Sequence, residues 1–307
     1  MQVTPITVAN TLLQNIENQE SQITQLQQEE STGESFTLPS DNPVAAENTL
    51  NLNNMLARVN TYTTSAQNAQ GWLNETNGAL TNMINLWDDV LQTATQASSS
   101  TNNAADLNAL SKSVSELQAN LGQILDTQYE GQYIFNGYNT STPPIAVSVS
   151  GQYPASVTWA TSTDGQSQNF EIGANTNVTV NLTGYESVGQ PAGENYLAQA
   201  YNDLGSLAQA ITQGPQAVEA MLPSLQSDLS NLTAAQALVG GSLQRVQNTL
   251  TQLGNASTDI SQNLADVSGA NMAQVTTQLA QEQTAYQATL QSGSQILSLS
   301  LLNFINT

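Results

Sequence analysis

The chain has 307 residues, of which 39% are apolar and only 9% charged, and its formal net charge is −21 at pH 7. It contains no cysteine and no histidine, and its only cations are Arg58, Lys112 and Arg245. That excludes thiol and imidazole catalysis, the usual zinc ligands and any surface able to neutralise a row of nucleic-acid phosphates. Low apolar content favours disorder chiefly when charge is dense. Here charge is sparse and the apolar residues are periodic, so a folded chain with no cofactor and no metal is expected.

The first ten residues carry neither a basic stretch nor an apolar core, so no cleaved secretory signal is expected. A helical stripe follows at Ala9, Leu12, Ile16, Ile23 and Leu26 and ends in the break from Gly33 to Pro39. A second helix start is sharply marked: Asp41 or Asn42 can cap it, and Pro43 suits the first helical position. Alternating steps of four and three then give Leu52, Leu56, Val59, Thr63, Ala66, Gln70, Leu73, Asn77, Leu80, Ile84, Trp87, Leu91 and Ala94. Only three of these are polar, which is coiled-coil periodicity. A helix from Pro43 to Ser98 is roughly 80 Å long at 1.5 Å per residue. Thr63, Gln70 and Asn77 read as polar layers that set register, and Gly71 and Gly78 as points where another helix comes close.

A Ser/Thr/Asn-rich break over 98–104 precedes another stripe at Leu107, Leu110, Val114, Leu117, Leu121 and Ile124, and the segment Gly131-Gln132-Tyr133-Ile134-Phe135-Asn136-Gly137 closes the helical region. After Pro143-Pro144 the pattern turns to β-branched alternation with Asp164-Gly165 and Thr183-Gly184 as turns, a small β module between Ile145 and Val188. Helix resumes near Tyr196 and stops at Gly214-Pro215. The run Val218, Leu222, Leu225, Leu229, Leu232, Gln236, Val239, Leu243, Val246, Leu250, Leu253, Ser257, Ile260, Leu264, Val267 is apolar at thirteen of fifteen positions. Because proline breaks the intrahelical ladder, this long helix is expected to begin at Pro223. The stripe slips near Gly269 and resumes at Met272, Val275, Leu279, Tyr286, Leu290 and Leu297; the apolar run from Ile296 to Ile305 is too short to span a bilayer.

The expected fold is therefore mainly α with a small β insertion, in which N- and C-terminal parts form long antiparallel coiled-coil helices. Three domains are expected: a terminal helical domain (1–41 and 268–307), a long-helix rod (42–142 and 196–267) and a β-rich outer domain (143–195). Amphipathic helices at both extreme ends need partners, since free termini fray. Each other and further copies of the chain are the expected partners. The expected assembly surface is Ile6, Leu12, Leu13, Ile16, Ile23, Leu26, Val275, Leu279, Tyr286, Leu290, Ile296, Leu297, Leu301 and Leu302.

Four dispersed motifs then carry a family resemblance. Ser31-Thr32-Gly33 with Pro39-Ser40-Asp41-Asn42-Pro43-Val44-Ala45-Ala46 resembles the N-terminal motif of the flagellin superfamily. Ala285-Tyr286-Gln287-Ala288-Thr289-Leu290 with Ile296-Leu297 and Ser300-Leu301-Leu302 is similar to its C-terminus. Tyr133-Ile134-Phe135-Asn136-Gly137-Tyr138-Asn139-Thr140 with Pro143-Pro144 resembles the segment before the outer domain in the hook-associated protein 3 branch. Ala235-Gln236-Ala237-Leu238-Val239-Gly240-Gly241-Ser242-Leu243-Gln244-Arg245-Val246 resembles the motif of the returning rod, although most basic residues usual in the family are missing.

The resemblance implies a structural adapter between flagellar hook and filament, assembled as a ring of copies. It implies a neighbouring junction protein and flagellin as contacts, and a chaperone on the C-terminal helices before export. Export would use the flagellar type III apparatus without a cleaved signal, to an extracellular position. The alternative is flagellin itself. A sugar-binding site in the β module, built on Tyr153, Trp159 and Tyr185, is the remaining reading; such aromatics more often form a small module's core. No catalytic residue, nucleic-acid contact or membrane insertion is expected. The scarcity of Lys and Arg suggests an acid medium, where carboxyls neutralise and few cations remain to repel.

Overall fold

A computed structural model of the chain describes residues 5–147, 157–159, 168–182, 184 and 195–305, with only the backbone described at 5, 6, 8, 9, 146, 147, 157–159 and 296–305. The described residues form six helices, α1 (Pro5–Thr32), α2 (Pro43–Ala97), α3 (Ala104–Leu125), α4 (Tyr196–Gln213), α5 (Pro215–Ser268) and α6 (Met272–Ile305), and three two-stranded hairpins. The hairpins are β1 (Gln128–Tyr129) with β2 (Gln132–Tyr133), β3 (Ile145–Val147) with β4 (Val157–Trp159), and β5 (Asn169–Gly173) with β6 (Thr176–Thr179), all antiparallel. The fold is mainly helical with a small, unclosed β insertion, as the periodicities require.

By contacts the chain divides into two units. One joins Met1–Arg58 to Ala256–Thr307 and the other is Val59–Asn255, so the division falls inside α2 and α5.

Within the second unit, α2 and α5 run antiparallel. The Trp87 indole N–H donates to the Leu225 carbonyl (2.7 Å), while Gln236 Nε2 donates to Thr81 Oγ1 (3.0 Å), so residue numbers fall on one helix as they rise on the other. Both long helices bury a seven-residue track. On α2 it is Ala66, Leu73, Leu80, Trp87 and Ala94, and on α5 it is Val218, Leu225, Leu232, Val239 and Val246. The other track expected on α2, through Thr63, Gln70 and Asn77, lies on a half-buried flank instead. The second fully buried track is Ala69, Thr76, Met83, Val90 and Ala97. A helix packed by several neighbours buries a wide face, whereas four-three stepping follows the narrow seam of a two-stranded coil. Thr76 is accommodated because its hydroxyl donates to the Trp72 carbonyl one turn back (2.9 Å).

The third and fourth helices pack closely. Ser111 Oγ donates to the Ala208 carbonyl (2.7 Å) and Gln118 Nε2 to that of Tyr201 (3.0 Å). Asn103 caps α3 in a capping box with Asp106, and Asn195 caps α4 through Ala198 N–H. Helix α5 begins at Pro215, not at Pro223 as expected, and Pro223 lies exposed inside it. One missing N–H near a helix start removes a single bond, and Pro215, directly after the Gly214 cap, already fits the first helical position.

The aromatic segment after α3 is a hairpin turned by Glu130 (φ 50°) and Gly131 (φ 78°). Ile134 and Phe135 descend from it into the core, and Asn136 Nδ2 donates to the Thr142 carbonyl (2.9 Å). Ile145, Ile172, Val178, Val180 and Leu182 join the same hydrophobic core as the helices, so the β insertion shares the bundle's interior. Trp159's side chain, Tyr153 and Tyr185, the aromatics considered for sugar stacking, lie outside the described residues.

Candidate assembly surface

The first unit is built from the two ends of the chain. Helices α1 and α6 lie side by side and antiparallel: Leu12 meets Gly293, while fourteen residues on Leu26 packs with Val275 and Leu279. Leu26, Val275 and Leu279 are its buried apolar cluster, with Ile23 and Ala270 against it. A Cβ at Gly293 would lie 2.5 Å from Leu12 Cδ2, so a larger residue there would force the Leu12 side chain to shift.

A backbone clip fixes the pair at one end. Ser35 N–H and its hydroxyl both donate to the Ser268 carbonyl (2.7 and 3.2 Å), and Ala270 N–H donates to the Gly33 carbonyl (2.8 Å). Gly33 holds φ +73°, a left-handed value suited to glycine, and it turns the chain out of α1. The start of α2 follows. Asp41 Oδ2 accepts from Leu38 N–H (3.0 Å), and Asn42 Oδ1 accepts from Ala45 N–H (3.1 Å), which makes Asn42 the cap. The residues from Ser31 to Ala46 thus form one shaped corner, with Ala45 and Ala46 buried and Val44 and Leu50 strongly exposed.

Of the residues expected on the assembly surface, Ile23, Leu26, Val275 and Leu279 meet between α1 and α6. Leu12, Ile16 and Tyr286 are half-buried, while Leu13 (57%) and Leu290 (43%) face outward. The side chains of Ile6, Ile296, Leu297, Leu301 and Leu302 lie outside the described residues. Sequence periodicity passed over Gly293 and the Gly33–Ala270 clip, because a close approach and a backbone bridge carry no apolar signal. Along α6 an open furrow is lined by Thr277, Ala280, Thr284 and Ala288. Among the described residues no group of three metal-ligating side chains exists, and no helix is long and apolar enough to cross a membrane.

Residues 4–140 match the family described as the bacterial flagellin N-terminal helical region. No curated protein shows significant sequence similarity to the chain. Among solved structures, a flagellar hook-associated protein from Vibrio parahaemolyticus, so described provisionally, superposes with a TM-score of 0.64 at 16% identity. It covers 75% of this chain and 100% of its own. Bacillus cereus FlgL superposes with a TM-score of 0.59 at 16% identity, covering 70% of this chain and 99% of its own. The chain thus resembles the flagellin N-terminal helical region over 4–140, a little under half of its length, and shares the fold of these two flagellar structures.

Proposed function

We propose that this protein is the structural adapter between flagellar hook and filament. The observation that carries the reading is the fold shared with the Vibrio hook-associated structure over that chain's whole length, with a β insertion of modest size. In this reading 1–41 and 268–307 form the assembly domain, 42–142 and 196–267 the rod, and 143–195 the outer domain. Copies of the chain join as a ring through α1 and α6. The expected surface residues act there, and the outward Leu13 and Leu290 are suited to contacts between copies. Below and above the ring stand a neighbouring junction protein and flagellin. A chaperone covers the C-terminal helices before export through the type III apparatus, and the protein works outside the cell without catalytic chemistry.

The experiment is electron microscopy of a strain lacking the gene. Hooks without filaments, with free flagellin in the medium, are expected, together with restoration by the full chain. Flagellin itself is the second reading, favoured by the matched N-terminal region. It predicts loss of the filament's bulk subunit and a copy number in isolated flagella far above one ring.

A further inference from the structure

The hairpin of α4 and α5 holds two acids against each other. Asp228 lies on the inner face of α5, seven residues before the fully buried Ala235, and is 1% exposed. Neither of its carboxyl oxygens receives an N–H or a hydroxyl. The charge that acts on it is the carboxyl of half-buried Asp203 on α4. A carboxylate buried without any donor is costly, and a second carboxylate beside it adds repulsion that neither can relieve, having no proton to give. The unpartnered burial of Asp228 therefore favours a proton on the pair.

Among the described residues, the other elements packed here supply no compensating charge. Helix α2 presents Trp87, whose N–H is committed to Leu225, and its Asp88 and Asp89 are exposed. Helix α3 meets α4 through Ser111 and Gln118, with Lys112 and Glu116 exposed. Asp203 is the sole charged residue of α4, and the nearest acid before Asp228 on α5, Glu219, is exposed. One turn beyond Asp228, the buried Asn231 leaves its amide nitrogen without a partner.

We propose that Asp203 and Asp228 share one proton, and that this proton clamps the α4–α5 hairpin so that the inner bundle is tightest in acid and loosens as pH rises. Burial first, and then the neighbouring Asp203 charge, push the Asp228 carboxyl up from its ordinary 3.8 to about 8. The folded chain therefore holds a proton that the unfolded chain releases. The stabilisation is complete below the unfolded value, declines as pH rises above it, and is gone above about 8.

The test is urea unfolding of the full chain from pH 3 to 9, beside Asp228→Asn and Asp203→Asn, in which an amide replaces the shared proton as donor. Relative to either variant, the wild-type unfolding constant is expected to rise up to about tenfold per pH unit between the two values and then level off. Infrared spectra of the folded wild type at pH 6 should show a protonated carboxyl stretch that both variants lack. Parallel pH slopes in wild type and variants overturn the proposal. So does absence of that band, a reading available even if neither variant folds. A pH dependence abolished by a chelator also overturns it, since a bound cation would then occupy the proton's place.

Discussion

The indole N–H of Trp87 in α2 reaches the main-chain carbonyl of Leu225 in α5 across 2.7 Å, and both side chains are fully buried. This bond sets the level at which the two long helices meet, because a slip of one turn would leave a buried N–H without an acceptor. Trp87→Phe keeps an aromatic ring but loses the bond and some volume, and should destabilise the chain by about 2 kcal/mol; Trp87→Ala should lose about 4 kcal/mol. Urea unfolding followed by circular dichroism measures both. A Phe variant as stable as wild type would show that the bond contributes nothing to register.

The two ends should be the weakest part of the isolated chain. Their buried apolar cluster is Leu26, Val275 and Leu279, against a far larger core in the second unit. Local opening is easiest where buried apolar contacts are few. Hydrogen exchange on the monomer is expected to show rapid exchange along α1 and α6 and slow exchange along 66–97 and 218–246. Leu26→Ala should speed exchange at the ends further, leaving the inner bundle unchanged. Equal protection in both units would count against self-assembly as the event that orders the ends.

Two glycines seven residues apart on α2 should respond with opposite signs. A Cβ on Gly71 would collide with the Tyr129 ring, which stands edge-on to Trp72 at 5.9 Å, so Gly71→Ala should cost about 1–3 kcal/mol by overpacking. Gly78 is exposed with nothing within 4 Å, and Gly78→Ala should add up to about 1 kcal/mol of helix stability. Thermal unfolding of the two single variants decides. The sequence suggests a passing helix at both positions; within this chain one faces a tyrosine and the other open space.

The β insertion should not be removable without loss. Ile145 packs near Gly122 of α3, its Cδ1 lying 3.5 Å from where a Cβ would stand, and Val180 and Leu182 line a small cavity with Leu73 and Val239. Ile145→Ala is expected to destabilise the second unit by about 2–4 kcal/mol. Replacing 145–188 with a short linker should lower the unfolding midpoint of the rest. A deletion as stable as the full chain would mean the helices close over the exposed apolar edge by themselves.

Helices, their breaks and the deepest heptad track were legible because burial repeats every seven residues from Ala66 to Ala94 and from Val218 to Val246. The helix start at Pro43 and the break near Gly269 were legible, but the choice of Asn42 over Asp41 as the cap needed the bond from Ala45 N–H. The second core track on α2 was not, since Ala69 and Thr76 carry little apolar signal and Gln70 and Asn77 lie beside the seam. Pro223 misled because its position, early in α5 and exposed, matters more than its identity. Asp228 was invisible for a related reason: an isolated acid reads as solvated until the fold sets another acid across from it. The expected surface residues could be placed only where the side chains of the terminal helices are described.

The clip between Ser35 and Ser268 joins residues 233 positions apart. Closing so long a loop has a large entropic cost, and contacts of this separation form late. In the order of synthesis α1 precedes its partner α6, and the helices of the inner bundle lie between them. Once α5 is made, that bundle can close on itself before α1 meets α6. Folding is therefore expected to run from the middle outward, with α1 docking after the bundle that follows it.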